Sequence, residues 1–221
     1  MVRYCELLEE ENKKFNLTAV REPEGIMHTL LLGSLTLIPA LPDTLRGYKP
    51  AGVVDIGAGA GIPGIPLAIV YPNWRVTMME SIGKKARFMA GAAGSLELTN
   101  VTILAERAEV AGLASLRDAA DLAVARAVAS LPTLVELAAP LVRAGGWMAF
   151  PKSGDVRAEL AEATVAMRTL NVALAGVVPV PRDLGLPADH VTVLLQKTGH
   201  TPIGYPRRPG LAKQRPLGGT P

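Results

Sequence analysis

The chain is poor in the residues that reactive sites most often use. Its 221 residues include one cysteine, Cys5, so neither an intramolecular disulfide nor a cysteine metal cage can form. That usage fits a reducing, cytoplasmic compartment. The three histidines, His28, His190 and His200, are scattered and suggest no metal site. No Ser/His/Asp set stands out. Aromatic residues are only 4% of the chain, so the core must be built from Leu, Val, Ile and Ala. No apolar run reaches the roughly 18 residues of a membrane span. The best candidate, Leu30 to Leu41, is interrupted by Gly33, Ser34, Thr36 and Pro39. Met1 to Glu11 is charged and acidic, unlike a signal peptide. Nothing points to an oligomer, and a monomer is the expectation.

What is present suits a buried core: 49% of residues are hydrophobic and 19% charged. The formal charge is +3, unevenly spread. Lys197, Arg207, Arg208, Lys213 and Arg215 carry the last stretch, which has no acidic residue. Such a tail either neutralises phosphates or simply keeps the end soluble.

The chain begins with two helical patterns, Val2 to Lys14 and Pro23 to Ile38, and a Pro/Gly-rich connector spans 39–50. Strands and helices then alternate. Strands are expected at Gly52–Ile56, Trp74–Glu80, Val101–Ala105, Asp121–Arg126, Trp147–Phe150, Val172–Val180 and His190–Lys197. Helices are expected at Pro63–Val70, Lys84–Leu98, Leu131–Leu141 and Asp155–Leu170. This pattern predicts an α/β fold with a seven-stranded, mostly parallel sheet and helices on both faces. No helix separates the last two strands, so one of them should be antiparallel. The expected organisation is one domain over 1–198, with a helical cap (1–40) on a sheet body (50–198). Residues 199–221 would form an extended, Pro-rich basic tail.

The most informative stretch is Val53-Val54-Asp55-Ile56-Gly57-Ala58-Gly59-Ala60-Gly61-Ile62-Pro63-Gly64, where a strand passes into a helix. Glycines there let the backbone turn sharply and approach a ligand. Asp55 before the glycines would repel a pyrophosphate but suits a sulfonium or amine. This argues against a nicotinamide-dependent oxidoreductase. Glu80 ends the next strand, where a carboxylate can accept from ribose hydroxyls or simply be solvated. Glu106 and Glu109 follow the third. Acidic groups at successive strand ends suit a nucleoside with a cationic amino-acid tail.

At these residues the chain resembles the bacterial small-subunit ribosomal RNA guanine-N7 methyltransferases, the RsmG or GidB family. The resemblance rests on Asn16-Leu17-Thr18-Ala19, on Asp55 through Leu67, and on Glu80-Ser81 followed by Lys84-Lys85 and Phe88. It continues through Arg107-Ala108-Glu109 and Ala125-Arg126-Ala127. The Gly61-Ile62-Pro63-Gly64-Ile65-Pro66-Leu67 run is its most specific part. The resemblance implies a class I methyltransferase (Rossmann-like) fold, S-adenosyl-L-methionine as cofactor, and 16S ribosomal RNA or the assembling small subunit as partner. Carried over by position, the cofactor contacts are Gly57, Ile62, Glu80, Ala108, Glu109 and Arg126, and Asp55, Gly59, Gly61 and Ser81 join them as neighbours in the same motifs. The chain departs from the family's second-helix pattern at Leu30 and Gly33. It also has Lys152-Ser153-Gly154 where a Lys-Gly pair is usual. These departures leave open a non-catalytic relative that binds RNA or cofactor.

N7 of guanine is an exposed lone pair that needs no proton removed, so no general base is sought. Arg126 is expected to orient the acceptor, or else to pair with a local carboxylate. The expected RNA contacts are Lys84, Lys85, Lys152, Arg207, Arg208, Lys213 and Arg215. On this reading, loss of the chain beyond Thr198 weakens RNA binding and leaves cofactor affinity unchanged.

Overall fold

In the computed structural model, which describes residues 1–46 and 49–218, seven strands form one sheet in the order β3-β2-β1-β4-β5-β7-β6. The strands are β1 (Gly52–Ile56), β2 (Arg75–Met79), β3 (Val101–Leu104), β4 (Ala120–Val124), β5 (Val142–Lys152), β6 (Val172–Pro179) and β7 (Val191–Lys197). Strands β1 to β5 are parallel, and β7 lies antiparallel between β5 and β6. Part of the expected connector, residues 47 and 48, and the end of the tail, 219–221, lie outside the described residues.

Central strands buried on both faces need apolar residues at successive positions. In β1, Val53 packs into one core and Val54 into the other. The first core joins β1 and β2 to α1 (Val2–Asn12), α4 (Gly64–Val70) and α5 (Gly83–Ser95). The second lies against α6 (Ala108–Leu113), α7 (Leu131–Ala138) and α8 (Val156–Thr169). Helices therefore cover both faces. α8 is capped where its sequence provides for it: Asp155 accepts from the Arg157 N–H.

Three features differ from the sequence expectation. The second helical pattern is composite: α2 (Pro23–Gly25), a π-helical stretch (Ile26–Leu32) and α3 (Gly33–Leu35). β5 begins earlier than expected, because the Gly145–Gly146 pair bulges within the strand rather than preceding it; its register against β4 shifts between Ala120 and Leu122. α6, six residues long, is too short to show a helical period.

The tail is the largest correction. Residues 199–218 do not run free as an extended basic arm. Arg117 donates to the carbonyls of Tyr205 (2.6 Å) and Thr201 (3.1 Å). Arg207 clamps Glu136, a carboxylate 1% exposed on α7, and also donates to the Arg215 carbonyl at 2.7 Å. A short helix, α9 (Leu211–Gln214), buries Ala212, whose carbonyl accepts from Thr133. Lys197, assigned above to the basic end, is fully buried. Its ammonium donates to Asp118 (3.2 Å), Thr201 (2.8 Å) and the Ala139 carbonyl (2.7 Å). Asp118 also accepts from the Thr201 hydroxyl (2.6 Å), so one cluster ties β7, the segment before β4 and the tail together. Replacing Asp118 with Ala removes the only anionic partner of this buried ammonium among the described residues. The expected loss is about 1–3 kcal/mol of stability in urea unfolding; an unchanged midpoint would show that the cluster does not hold the tail.

Candidate cofactor site and its neighbouring cavity

The glycine loop is set from behind by two buried side chains. Asp55, wholly inaccessible on β1, accepts from the Gly64 N–H at 2.8 Å. Any Cβ at residue 64 would lie 2.6 Å from the Met78 sulfur and 2.8 Å from this carboxylate, so only glycine lets α4 start here. Tyr4, fully buried on α1, donates its hydroxyl to the Ala60 carbonyl. The helical cap thus holds the loop's inner side. Gly57 sits at φ +64°, left-handed backbone that suits glycine.

Glu80, at the end of β2, holds the outer side. One carboxylate oxygen accepts from the Gly59 N–H (3.1 Å) and the other from the Ile82 N–H (2.7 Å). Each oxygen keeps a further lone pair. Both carboxylate-held loops flank a cavity of about 690 Å³ at the carboxyl ends of the strands. This is the place and size at which open α/β sheets take small ligands. Of the residues expected to contact the cofactor, Gly57, Glu80, Ser81, Ala108 and Glu109 line it.

Other expected cofactor residues lie elsewhere. Asp55 does not reach the cavity. Burial, with Glu80 nearby, raises its pKa to about 8, because desolvation outweighs the single bond from Gly64. Burial therefore favours its neutral form and suits a scaffold group better than a counter-charge for a sulfonium. Gly61 packs beneath the loop against Ile65 and Tyr4. Gly59 and Ile62 line a smaller adjoining hollow of about 230 Å³. Arg126 is also absent from the main cavity wall. Its guanidinium donates to the main-chain carbonyls of Thr29 (2.8 Å) and Leu30 (3.1 Å), where the π-helical stretch offers them. Burial lowers its pKa. The two positions that depart from the family pattern both meet it: Leu30 through its carbonyl, and Gly33 because a Cβ there would lie 3.3 Å from Arg126 Nη1.

The expected RNA contacts divide in the same way. Lys152 is 12% exposed and bound to Glu159 (2.6 Å) and the Ala129 carbonyl (3.0 Å). It and Arg207 are committed inside the protein, so neither is the open phosphate contact expected. Lys85 lines the main cavity rather than an outer face. Lys84 is exposed and lies over the Phe15 ring, 4.6 Å from its centroid. Arg208, Lys213 and Arg215 are exposed.

Sequence reasoning missed the far wall. Gly210, Lys213 and Gln214 of the tail line the main cavity with Thr133 and Leu137 of α7. The Gly210 N–H donates to Glu109 at 2.8 Å, so Glu109 anchors this wall. The only signal in the sequence was the glycine before Leu211, which takes φ +83° at the start of α9.

A glycine loop after β1, an acid at the end of β2 and a sheet with antiparallel β7 define the class I methyltransferases. The chain belongs to the GidB family, rRNA small subunit methyltransferase G, whose model matches residues 1–182. It is 38% identical over 216 residues to ribosomal RNA small subunit methyltransferase G of Roseiflexus castenholzii, covering 97% of this chain and 89% of that one. The Chloroflexus aggregans protein of the same name is 40% identical over 225 residues, with 97% and 88% covered. Among solved structures, a mutant of MtNAS in complex with S-adenosylmethionine superposes with a TM-score of 0.58 at 19% identity, over 88% of this chain and 73% of that one. The Methanococcus jannaschii fibrillarin pre-rRNA processing protein gives 0.53 at 15% identity, over 69% and 68%. The wall formed by residues 210–214 lies beyond the family match.

Two outcomes follow from this geometry. Because Asp55 has a raised folded pKa, the folded state holds its proton where the unfolded chain releases it. Stability from this group is full below the ordinary carboxylate pKa near 4 and is lost as pH rises toward 8. Asp55→Asn should therefore flatten the fall in melting temperature between those limits; a slope equal to that of the wild type would place the proton elsewhere. Removing residues 209–221 should lower S-adenosylmethionine affinity in calorimetry, several-fold or more, instead of sparing it; equal affinity would mean that the tail is no wall.

Proposed function

We propose that this protein transfers a methyl group from S-adenosylmethionine to N7 of a guanine in 16S ribosomal RNA, as naked RNA or in the assembling small subunit. The observation that carries the reading is Glu80. Its carboxylate lines the cavity at the end of β2 with a lone pair left on each oxygen, which suits two neighbouring ribose hydroxyls. Glu106 and Glu109 add acidic groups along the same cavity, as a cationic ligand requires. The 690 Å³ volume accommodates a nucleoside with an amino-acid tail.

When bound, S-adenosylmethionine supplies a methyl group on positively charged sulfur. Held in this cavity, the cofactor would offer that methyl to the guanine N7 lone pair, with the electron pair of the C–S bond left on sulfur. No proton moves, so the protein's task is orientation and exclusion of water. Gly57 brings backbone close to the ligand. Glu80 fixes the ribose, and the Ala108 segment and the 210–214 wall enclose the rest. Arg126 acts by holding the cap helix on the sheet beside the transfer point. Lys84, Arg208, Lys213 and Arg215 are the exposed cations best placed to meet phosphate, giving a salt-dependent RNA affinity. Among the described residues no helix is long and apolar enough to cross a membrane.

The deciding experiment maps methylation by mass spectrometry on ribosomal RNA from cells with and without the gene. A single 7-methylguanosine should disappear from the small-subunit RNA. In the purified protein, Glu80→Ala should weaken S-adenosylmethionine binding by about tenfold or more, from the lost hydrogen bonds to a charged acceptor. Normal binding in that variant, or an unaltered methylation map, would refute the assignment.

A further inference from the structure

A second cavity, of about 370 Å³, lies directly beside the first. Ala127 and Ala129, in the segment after β4, line both. Ala127 holds φ +54°, a left-handed conformation that costs a residue with a Cβ and that clusters at functional sites. The strained residue is thus the partition between the two hollows. Arg126, Lys152, Ser153, Glu159 and His190 line the far side.

The chemistry of this second cavity centres on the Lys152–Glu159 pair, which joins the end of β5 to α8. Glu159 Oε2 accepts from Lys152 Nζ (2.6 Å) and from the Leu131 N–H (2.8 Å). Oε1 has no hydrogen-bond partner among the described residues, and it is not buried. Lys152 Nζ spends one hydrogen on Glu159 and one on the Ala129 carbonyl, leaving a third. The cavity wall therefore presents an N–H donor and a carboxylate acceptor side by side. The Watson–Crick edge of guanine carries the complementary order: the O6 acceptor, then the N1–H and N2–H donors. Adenine reverses the first two, with an amino donor followed by the N1 acceptor, and would meet like with like. In a purine N7 lies across the ring system from N1 and N2. A guanine held by that edge against Glu159 turns N7 away from the pair, toward the Ala127–Ala129 partition and the cofactor cavity.

We propose that this second cavity receives the acceptor guanine, turned out of its RNA, and that the Lys152–Glu159 pair selects guanine by its Watson–Crick edge. Enzymes that modify a base commonly extrude it and read that edge in this way. The proposal rests on the guanine-N7 reading given above. It also gives Lys152 a different task from the phosphate contact expected of it. Glu159 is a recognition residue here; the bond-making atoms are those of the base and the methyl donor.

The test uses the full chain saturated with S-adenosylhomocysteine. Binding of guanosine, inosine and adenosine 5′-monophosphates is measured by calorimetry, and methylation of small-subunit RNA by transfer of labelled methyl. Wild-type protein should bind guanosine monophosphate best, inosine monophosphate less well for want of the N2 amine, and adenosine monophosphate least. Glu159→Gln keeps an acceptor for the Leu131 N–H but loses the charge that takes two base donors. It should abolish the preference for guanosine monophosphate and lower kcat/KM for RNA by about ten- to a hundred-fold. S-adenosylmethionine affinity should stay as in the wild type. Equal binding of the three nucleotides by the wild type, or an unchanged kcat/KM in Glu159→Gln, overturns the proposal. Where mononucleotides bind too weakly to measure, the turnover result decides. A wild-type protein that methylates no guanine N7 instead defeats the underlying reading, so the two failures are distinct.

Discussion

A single carboxylate, that of Glu80, joins the two loops from which the cofactor cavity is made. One of its oxygens takes the N–H of Gly59 in the loop after β1, and the other takes the N–H of Ile82 in the turn before α5. Both acceptors are largely screened from water, with Glu80 7% exposed, so each bond is costly to break. The same side chain lines the cavity, so the order of both loops and the shape of its mouth rest on one residue.

Around that carboxylate the supports come from distant parts of the chain. Tyr4 reaches the loop from the first helix, and Asp55 fixes the start of α4 from within the sheet. Arg126 fastens the cap through two main-chain carbonyls, and Glu109 holds the last segment through the Gly210 N–H. Each contact commits an ionisable side chain to backbone partners. Such groups are locked by several elements at once, which is how a site keeps its geometry without ligand.

The parts of this structure legible in the sequence were local. β1 was readable to the residue, because an apolar run ending in glycines is a property of a few neighbours. Glu80 was readable because it follows directly on a strand, and the Arg107-Ala108-Glu109 segment through the family resemblance; both line the cavity. What was misread depends on partners far along the chain. Arg126, expected to orient the acceptor, lines the second cavity but spends its guanidinium on carbonyls 96 and 97 residues away. Arg207 looked like part of a free basic arm, yet Glu136, 71 residues earlier, is the acid it was shaped to meet. Asp55 was read as a charged group beside the ligand, but it is buried within β1, where desolvation favours the neutral form, and burial is not written in local spacing. A count of basic residues cannot separate cations that face solvent from those, such as Lys197, that are spent inside.

The position of α9 carries a consequence for how the molecule comes into being. All seven strands precede Leu211–Gln214 in the chain. During vectorial synthesis the sheet can emerge and pair while one wall of the main cavity is still missing. The newborn protein thus passes through a stage that has all seven strands but an open hollow, closed only when residues 210–214 are delivered.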